Sequence, residues 1–312
     1  MKLKKNILFI SGPTASGKSD LAIKIALAIK GEIINADSMQ IYKDLKVITA
    51  RPSVKEQKKI KHHLYGYLPG NKRYNVFNWC NDALKKIKEI ENCLRVPIVV
   101  GGTGLYFHSF INGIARMPTI PEEIKRESEE KFKKNDLESV YDELKNFDPD
   151  SISKIRKNDI QRLKRIWEVM RYTGVALSTW QKKANKKFID DYNFKLILIL
   201  PNREKLYRHS EKRFLNMINN GALEEVRKLK EKNYDNKLPI MKAHGVPEIM
   251  NYFSGIYSLD EAISKAQQVT KNYIKRQFTW WKGSKIKPDE VFHNFSSNID
   301  LKSLKILKKF NN

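Results

Sequence analysis

The chain predicts an α/β fold, an open parallel sheet flanked by helices and carrying an inserted all-helical subdomain. Three observations lead there. Short apolar runs at Ile7–Ile10, Ile33–Ile34, Val96–Val100 and Phe194–Leu200 alternate with amphipathic stretches, the pattern of parallel strands joined by crossover helices. The first run leads into a glycine-rich turn that opens a helix, "GPTASGKS" from Gly12 to Ser19. The third and fourth runs are separated by roughly ninety residues of helix-like sequence, where a crossover needs only about a dozen.

"NILFI" is short and enters a glycine turn, so it reads as the first strand and not as a signal peptide. "EIIN" is the second strand and "VPIVV" the third, each leading into turn chemistry. Two prolines in "INGIARMPTIP" break the pattern and start the insert, expected over residues 116–190, with the core formed by 1–115 and 191–312. After "FKLILIL", helices are expected over 203–219, 222–231 and 259–282, with a further edge strand near Val291–Phe292.

Composition bounds the function. The 312 residues are 41% hydrophobic and 10% aromatic, enough for a large core, which excludes a disordered chain. Lysine and arginine total 60 against 35 acids, a formal net charge of +25. That excess suggests a polyanionic partner, nucleic acid ahead of an anionic membrane surface. A lysine-rich proteome would raise the total without clustering it. Clustering is present: residues 121–150 hold six basic and eleven acidic side chains, and residues 151–190 hold eleven and three. Cys80 and Cys93 have neither metal spacing nor a disulfide framework, which fits a reducing cytoplasm. No apolar segment approaches transmembrane length.

Five motifs carry chemistry. Gly12, Gly17, Lys18 and Ser19 match G-x-x-x-x-G-K-[ST] between a strand and a helix, the context of a P-loop NTPase-like core. The backbone of Gly12, Pro13, Thr14, Ala15, Ser16 and Gly17 would wrap an anion at the helix N-terminus. Lys18 would meet the terminal phosphate, and Ser19 would ligate Mg²⁺. In "INADSMQIY", Asp37 stands where the second strand ends, at the ligand edge of such a sheet. It can be a metal ligand, a general base or a helix cap. In "VPIVVGGTGLYF", Gly101, Gly102 and Gly104 permit close backbone approach at the same edge, and Thr103 can bind substrate or cap a helix. In "NDIQRLKRIWEVMRYTG", Asp159 can cap a helix on which Arg162 and Arg165 share a face, a phosphate-backbone reader or a solvated surface. In "KNYIKRQFTWWKG", cations interleave with Tyr273, Phe278, Trp280 and Trp281, a mixture that suits single-stranded nucleic acid or an amphipathic helix docked on a core. The adjacent His62 and His63 point to different faces in either regular structure, with no third metal ligand nearby.

Taken together, "GPTASGKS", "NADSMQIYKDLKVITARP", "HHL", "PIVVGGTGLYF", "NDIQRLKR", "GALEEV" and "KRQFTWWKG" resemble the bacterial tRNA dimethylallyltransferase family over nearly the whole chain. The resemblance implies that the glycine loop holds the diphosphate of dimethylallyl diphosphate with Mg²⁺ and transfers no phosphoryl group. It implies that Asp37 accepts a proton from the exocyclic amine of the adenosine 3′ of the anticodon, with Lys18 and Thr103 as its catalytic partners. tRNA contacts are implied at Asp37, Ser38, Met39, Gln40 and Thr103, at Lys125, at Gln161, Arg162, Leu163, Lys164 and Arg165, and at Lys275, Arg276, Gln277, Trp280 and Lys282. A cytoplasmic monomer acting on the anticodon stem-loop, with no membrane partner, is the expected form. Three departures stand out. "KVITARP" places Ile48 where the family usually has glycine and Arg51 where it has lysine. His209 occupies a position usually held by a diphosphate-binding arginine, leaving Arg208, His209 and Arg213 as alternatives. "KAHGVPEI" differs from the common pattern.

Three other readings compete. A small-molecule P-loop kinase would use Asp37 to activate a hydroxyl, but needs no basic insert. A nucleic-acid-stimulated NTPase needs a second acidic strand end and a water-positioning residue. Prenylation of free adenine nucleotides would share the core and dispense with the insert's charge.

Overall fold

The computed structural model describes residues 5–134, 136–182 and 188–310. They fall into two compact units, one running up to Ser109 and resuming at Ile189, the other Phe110–Phe188. The first unit holds a six-stranded sheet in the order β3-β2-β4-β1-β5-β6. Its strands are β1 (Lys5–Ser11), β2 (Gly31–Asn35), β3 (His62–His63), β4 (Val96–Gly101), β5 (Tyr192–Ile199) and β6 (Glu290–Phe292). All five pairings are parallel.

Parallel strands are covered on both faces, so they read as continuous apolar runs. In β1, Ile7, Leu8, Phe9 and Ile10 are all fully buried. Leu8 and Ile10 share a core cluster with Leu21 and Ile25 of α1 (Lys18–Ala28). Phe9 meets Phe107 and Phe194 edge-on at 5.7 Å. The expected late strand is β6, at the sheet edge beside β5.

The two-residue β3 has no sequence signature of its own. It pairs Ile33 with His62 and Ile34 with His63, and the histidines are structural. His63 Nε2 lies 2.6 Å from the buried Glu32 carboxylate, and His62 Nδ1 lies 2.7 Å from the Ile60 carbonyl. Among the described residues no cluster of acidic, histidine or cysteine side chains could hold a metal ion.

Between β2 and β4 run α2 (Val54–Lys59) and α3 (Val76–Asn92), and α4 (Gly104–Asn112) comes after β4. The strongly amphipathic α3 buries Trp79, Cys80, Ala83, Ile87 and Ile90, and Asn75 caps its first turn by accepting from the Asn78 N–H.

The second unit contains α5 (Glu122–Lys134), α6 (Leu137–Phe147), α7 (Pro149–Ile152), α8 (Ile160–Thr173) and α9 (Leu177–Lys182). Its core gathers Val140, Leu144, Leu163, Ile166, Trp167 and Val169. Asp159 does cap α8, accepting from the Arg162 N–H, and Gly174 ends that helix with φ near 65°. Three lysines of the basic run, Lys183, Lys186 and Lys187, lie outside the described residues.

After β5 come α10 (Arg203–Met217), α11 (Leu223–Glu231), α12 (Val246–Phe253) and the long α13 (Leu259–Gly283). The expected 203–219 and 222–231 helices are separated by a single π turn, Ile218–Ala222, with Gly221 at φ 97°. A full Ser258/Glu261 capping box starts α13.

Candidate active site

Three strand ends converge. In the register, Ile10 and Asn35 both lie opposite Val100, and Ser11 lies opposite Gly101. The glycine loop after β1, Asp37 after β2 and the Gly101–Gly104 loop after β4 therefore emerge at one edge, where an open α/β sheet binds ligands.

Close packing explains the glycines there. A Cβ at Gly12 would stand 2.5 Å from the Ile199 carbonyl, and one at Gly101 would stand 2.1 Å from the Ala36 carbonyl. Gly17 adopts φ 85°, a conformation L side chains rarely take. Just beyond it, Lys18 and Ser19 begin α1, where the first amides have no intrahelical acceptor and attract anions. The Ser16 hydroxyl is buried inside the loop with no hydrogen-bond partner among the described residues.

Asn35, fully buried, shapes the turn that holds Asp37. Its Oδ1 accepts from the Asp37 N–H at 2.9 Å, and its Nδ2 donates to the carbonyls of Asp37 and Leu64, both at 3.0 Å. Asp37 Oδ1 in turn accepts from the N–H groups of Met39 (2.9 Å) and Gln40 (3.4 Å). The capping role is thus real but local: the residues after Asp37 form a turn and not the expected helix. Asp37 Oδ2 has no hydrogen bond among the described residues.

Two cavities meet at Asp37. A narrow one of about 60 Å³ is lined by Thr14, Lys18, Ser19, Asp37, Gln40, Thr49, Tyr65 and Arg213. A wider one of about 290 Å³ is lined by Thr14, Asp37, Ser38, Met39, Ile48, Thr49, Arg213, Phe214, Met217, His244, Tyr273 and Arg276. Thr14, Asp37, Thr49 and Arg213 belong to both. The inner chamber is cationic and set against the glycine loop. The outer one adds an apolar wall of Met39, Ile48, Phe214 and Met217.

Desolvation dominates the electrostatics of this site. Lys18 Nζ donates to the Pro13 carbonyl at 3.1 Å. Burial pushes its pKa down to about 8, with Asp37 opposing the shift and Arg213 adding to it. Burial also lowers the Arg213 pKa, again against the pull of Asp37. His244 is lowered by burial and then by Arg276, so its imidazole is neutral at physiological pH. Its ring meets Tyr273 edge-on at 4.6 Å.

Of the three alternatives left by the missing arginine, Arg213 is the one at Asp37. Its Nη2 donates to the Thr14 hydroxyl at 2.6 Å. His209 supports the loop from behind, its Nδ1 lying 2.8 Å from the Ala15 carbonyl. Arg208 lines a separate depression with Lys205, Lys212 and Phe295.

Thr103 neither caps α4 through its side chain nor stands free. Its hydroxyl accepts from the Ser38 N–H at 3.2 Å, tying the loop after β4 to the loop after β2. Gln40 is similarly committed, donating to the Thr49 and Ala50 carbonyls at 2.8 and 3.1 Å.

Other implied contacts are redistributed. Leu163 is fully buried in the core of the helical unit. Its neighbours Gln161 and Arg162 are exposed. Arg162 pairs with Asp159 at 3.4 Å, Arg165 with Glu168 at 3.9 Å and Lys125 with Glu122 at 2.6 Å. Lys164 lies over the Phe132 ring at 5.8 Å. Lys275, Arg276 and Lys282 are exposed along α13, while the Gln277 side chain is buried. Trp280 covers Gly104, where a Cβ would stand 2.3 Å from its ring.

The structure gives three features a place that the sequence did not. His244 and Tyr273, marked in the sequence only by the odd "KAHGVPEI" segment and the aromatic–basic "KNYIKRQFTWWKG", line the outer cavity. Glu225, in "GALEEV", accepts from the N–H groups of Lys46, Val47 and Ile48 at 2.5–2.9 Å and so anchors the "KVITARP" loop. Ile48, in place of the usual glycine, packs with Phe214, Met217 and Val246 and narrows the cavity. Gly245, at φ 93°, makes room for it: a Cβ there would stand 3.0 Å from Ile48 and 2.8 Å from the Phe214 ring.

The comparisons with known proteins agree with this architecture. The family model for IPP transferase matches residues 40–284, and that for isopentenyl transferase matches residues 5–67. A tRNA dimethylallyltransferase of Pelagibacter ubique is 42% identical over 280 residues, covering 90% of this chain and 89% of that protein. Its counterpart in Wolbachia pipientis is 42% identical over 281 residues, covering 90% and 93%. The crystal structure of tRNA delta(2)-isopentenylpyrophosphate transferase from Staphylococcus epidermidis superposes with a TM-score of 0.67 at 31% identity, covering 99% of both chains. A eukaryotic dimethylallyltransferase acting on tRNA superposes with a TM-score of 0.74 at 27% identity, covering 88% of this chain and 69% of that one. With a family model spanning most of its length and relatives matched nearly end to end, the chain belongs to the IPP transferase family, that of the tRNA dimethylallyltransferases.

Proposed function

We propose that the protein transfers a dimethylallyl group from dimethylallyl diphosphate to the exocyclic amine of the adenosine immediately 3′ of the anticodon in tRNA. The observation that carries this reading is the position of Asp37, shared by a cationic inner chamber and a partly apolar outer one. Diphosphate suits the first; an allyl chain and a flipped base suit the second.

In this reading the adenine amine attacks the allylic carbon, a C–N bond forms, the C–O bond breaks and diphosphate leaves. The proton goes to Asp37 Oδ2, the oxygen that the Met39 and Gln40 amides leave open. Lys18, Arg213 and the first amides of α1 meet the negative charge that develops on the leaving group. The neutral His244 and the Tyr273 ring wall the outer chamber where the base would stand.

Mg²⁺ fits the donors available. Ser19 offers a hard hydroxyl oxygen in the inner chamber beside Asp37, and diphosphate oxygens would supply further ligands. Bound there, the ion would neutralise leaving-group charge.

We take the acting form to be a monomer. No described helix is long and apolar enough to cross a membrane, and we place the reaction in the cytoplasm with its tRNA. The test supplies Mg²⁺, unmodified tRNA and labelled dimethylallyl diphosphate or γ-labelled ATP. Label should enter tRNA from the first donor only. ATP-dependent phosphorylation, or transfer to free AMP and not to tRNA, would overturn the assignment.

A further inference from the structure

Gln277 is the residue of the "KRQFTWW" segment whose amide turns inward to the glycine loop. It is only 6% exposed. Its Oε1 accepts the Thr14 N–H at 2.9 Å, and its Nε2 donates to the Gly102 carbonyl at 2.8 Å. Only this orientation of the amide satisfies both neighbours. The approach is close: a Cβ at Gly102 would stand 2.5 Å from Gln277 Nε2.

The Thr14 amide, which a glycine loop ordinarily offers to phosphate, is therefore already taken by Gln277, and the Thr14 hydroxyl oxygen accepts from Arg213. Thr14 is a junction between α10 and α13 whose backbone N–H is not free for an anion. In addition, α13 carries the exposed Lys275, Arg276 and Lys282, and Arg276 also lines the outer cavity. One buried side chain thus joins that helix to the loop after β1 and the loop after β4.

We propose that Gln277 is a positioning residue that holds the two glycine loops in register and transmits acceptor docking on α13 to the donor loop. Where acceptor docking is concerned, this rests on the function proposed above. A side chain that must donate to a carbonyl and accept from an N–H at the same time has one close substitute. Protonated glutamic acid can do both, whereas ionised glutamate sets a carboxylate against the Gly102 carbonyl.

The experiment is calorimetric titration with magnesium diphosphate, with and without unmodified anticodon stem-loop RNA, on the wild type, Gln277→Ala and Gln277→Glu. In the wild type the RNA should tighten diphosphate binding by about fivefold or more. In Gln277→Ala that factor should fall below about twofold, while each ligand alone binds within about threefold of wild type. In Gln277→Glu the factor should be lost near pH 8 and recover near about pH 5.5, as the carboxyl takes up its proton. The proposal is overturned by a wild-type factor near one, by a factor retained in Gln277→Ala, by a pH-insensitive Gln277→Glu, or by an alanine variant that merely melts earlier and binds both ligands poorly. Prenyl transfer is assayed separately. Its absence alongside an intact linkage would reject the activity and leave the role of Gln277 standing.

Discussion

The sheet edge and the helical unit both present positive charge, and they do so in opposite ways. At the sheet edge Lys18 and Arg213 line a chamber, and desolvation shifts both pKa values down. In the helical unit Arg162 is exposed and Arg162, Arg165 and Lys125 each lie beside an acid one helical turn away. An enclosed charge acts through its position and is poorly screened; an exposed one acts as part of a sum that salt weakens. The core should therefore be sensitive to single substitutions, and the helical unit to ionic strength.

The hardest test of that contrast is Asp37→Ala. Turnover should fall by about 10²- to 10⁴-fold, with tRNA affinity within a few-fold of wild type in a filter-binding assay. Turnover near wild type would reduce Asp37 to a turn-capping residue. Next, Arg213→Met should lower kcat/KM for the donor by about 10²- to 10³-fold, as expected where one group meets developing charge. The same change at Arg208, outside the chamber, should cost much less in steady-state kinetics.

Leu163→Ala sharpens the comparison from inside the helical unit. Its burial predicts about 2–5 kcal/mol of lost stability in thermal or denaturant unfolding, whereas Arg162→Ala one residue earlier should leave stability unchanged. A pH titration probes the core again. Lys18 loses its proton near pH 8 in the free protein, and bound diphosphate favours the charged form. Binding is therefore complete below that value and weakens by up to about tenfold per pH unit above it. Lys18→Arg, which keeps its charge, should remove the inflection seen by calorimetry. The smallest effect belongs to Arg162→Ala, a few-fold loss of tRNA affinity. It should reduce the slope of log affinity against log salt by less than about one. A salt-independent affinity would remove the helical unit as an electrostatic docking surface.

Much of this architecture is legible in the sequence because it is local. The glycine loop, the strand before it and the helix after it are contiguous, so spacing alone locates the anion site. Asp37 and the Gly101–Gly104 loop are placed by the rule that ligands gather where parallel strands end. The Asp159 cap and the helices after β5 are written in propensity and periodicity. Two-residue β3 is not legible, because its pairing comes from a neighbour already in place. The burial of Leu163 and Gln277 is hidden for a related reason: each sits in a basic run, and composition does not say which side of a helix faces inward.

The sequence by itself determined the fold class, the glycine loop, the place of Asp37 and the family, since these depend on short segments whose backbone geometry is set by their own residues. Only the tertiary structure decided which of Arg208, His209 and Arg213 lines the cavities with Asp37, that Ile48 is accommodated by Gly245, and that Gln277 joins two loops far apart in sequence. Those outcomes depend on side chains separated by up to 263 positions, and such distances are settled by packing, where volume and hydrogen-bond direction admit one arrangement.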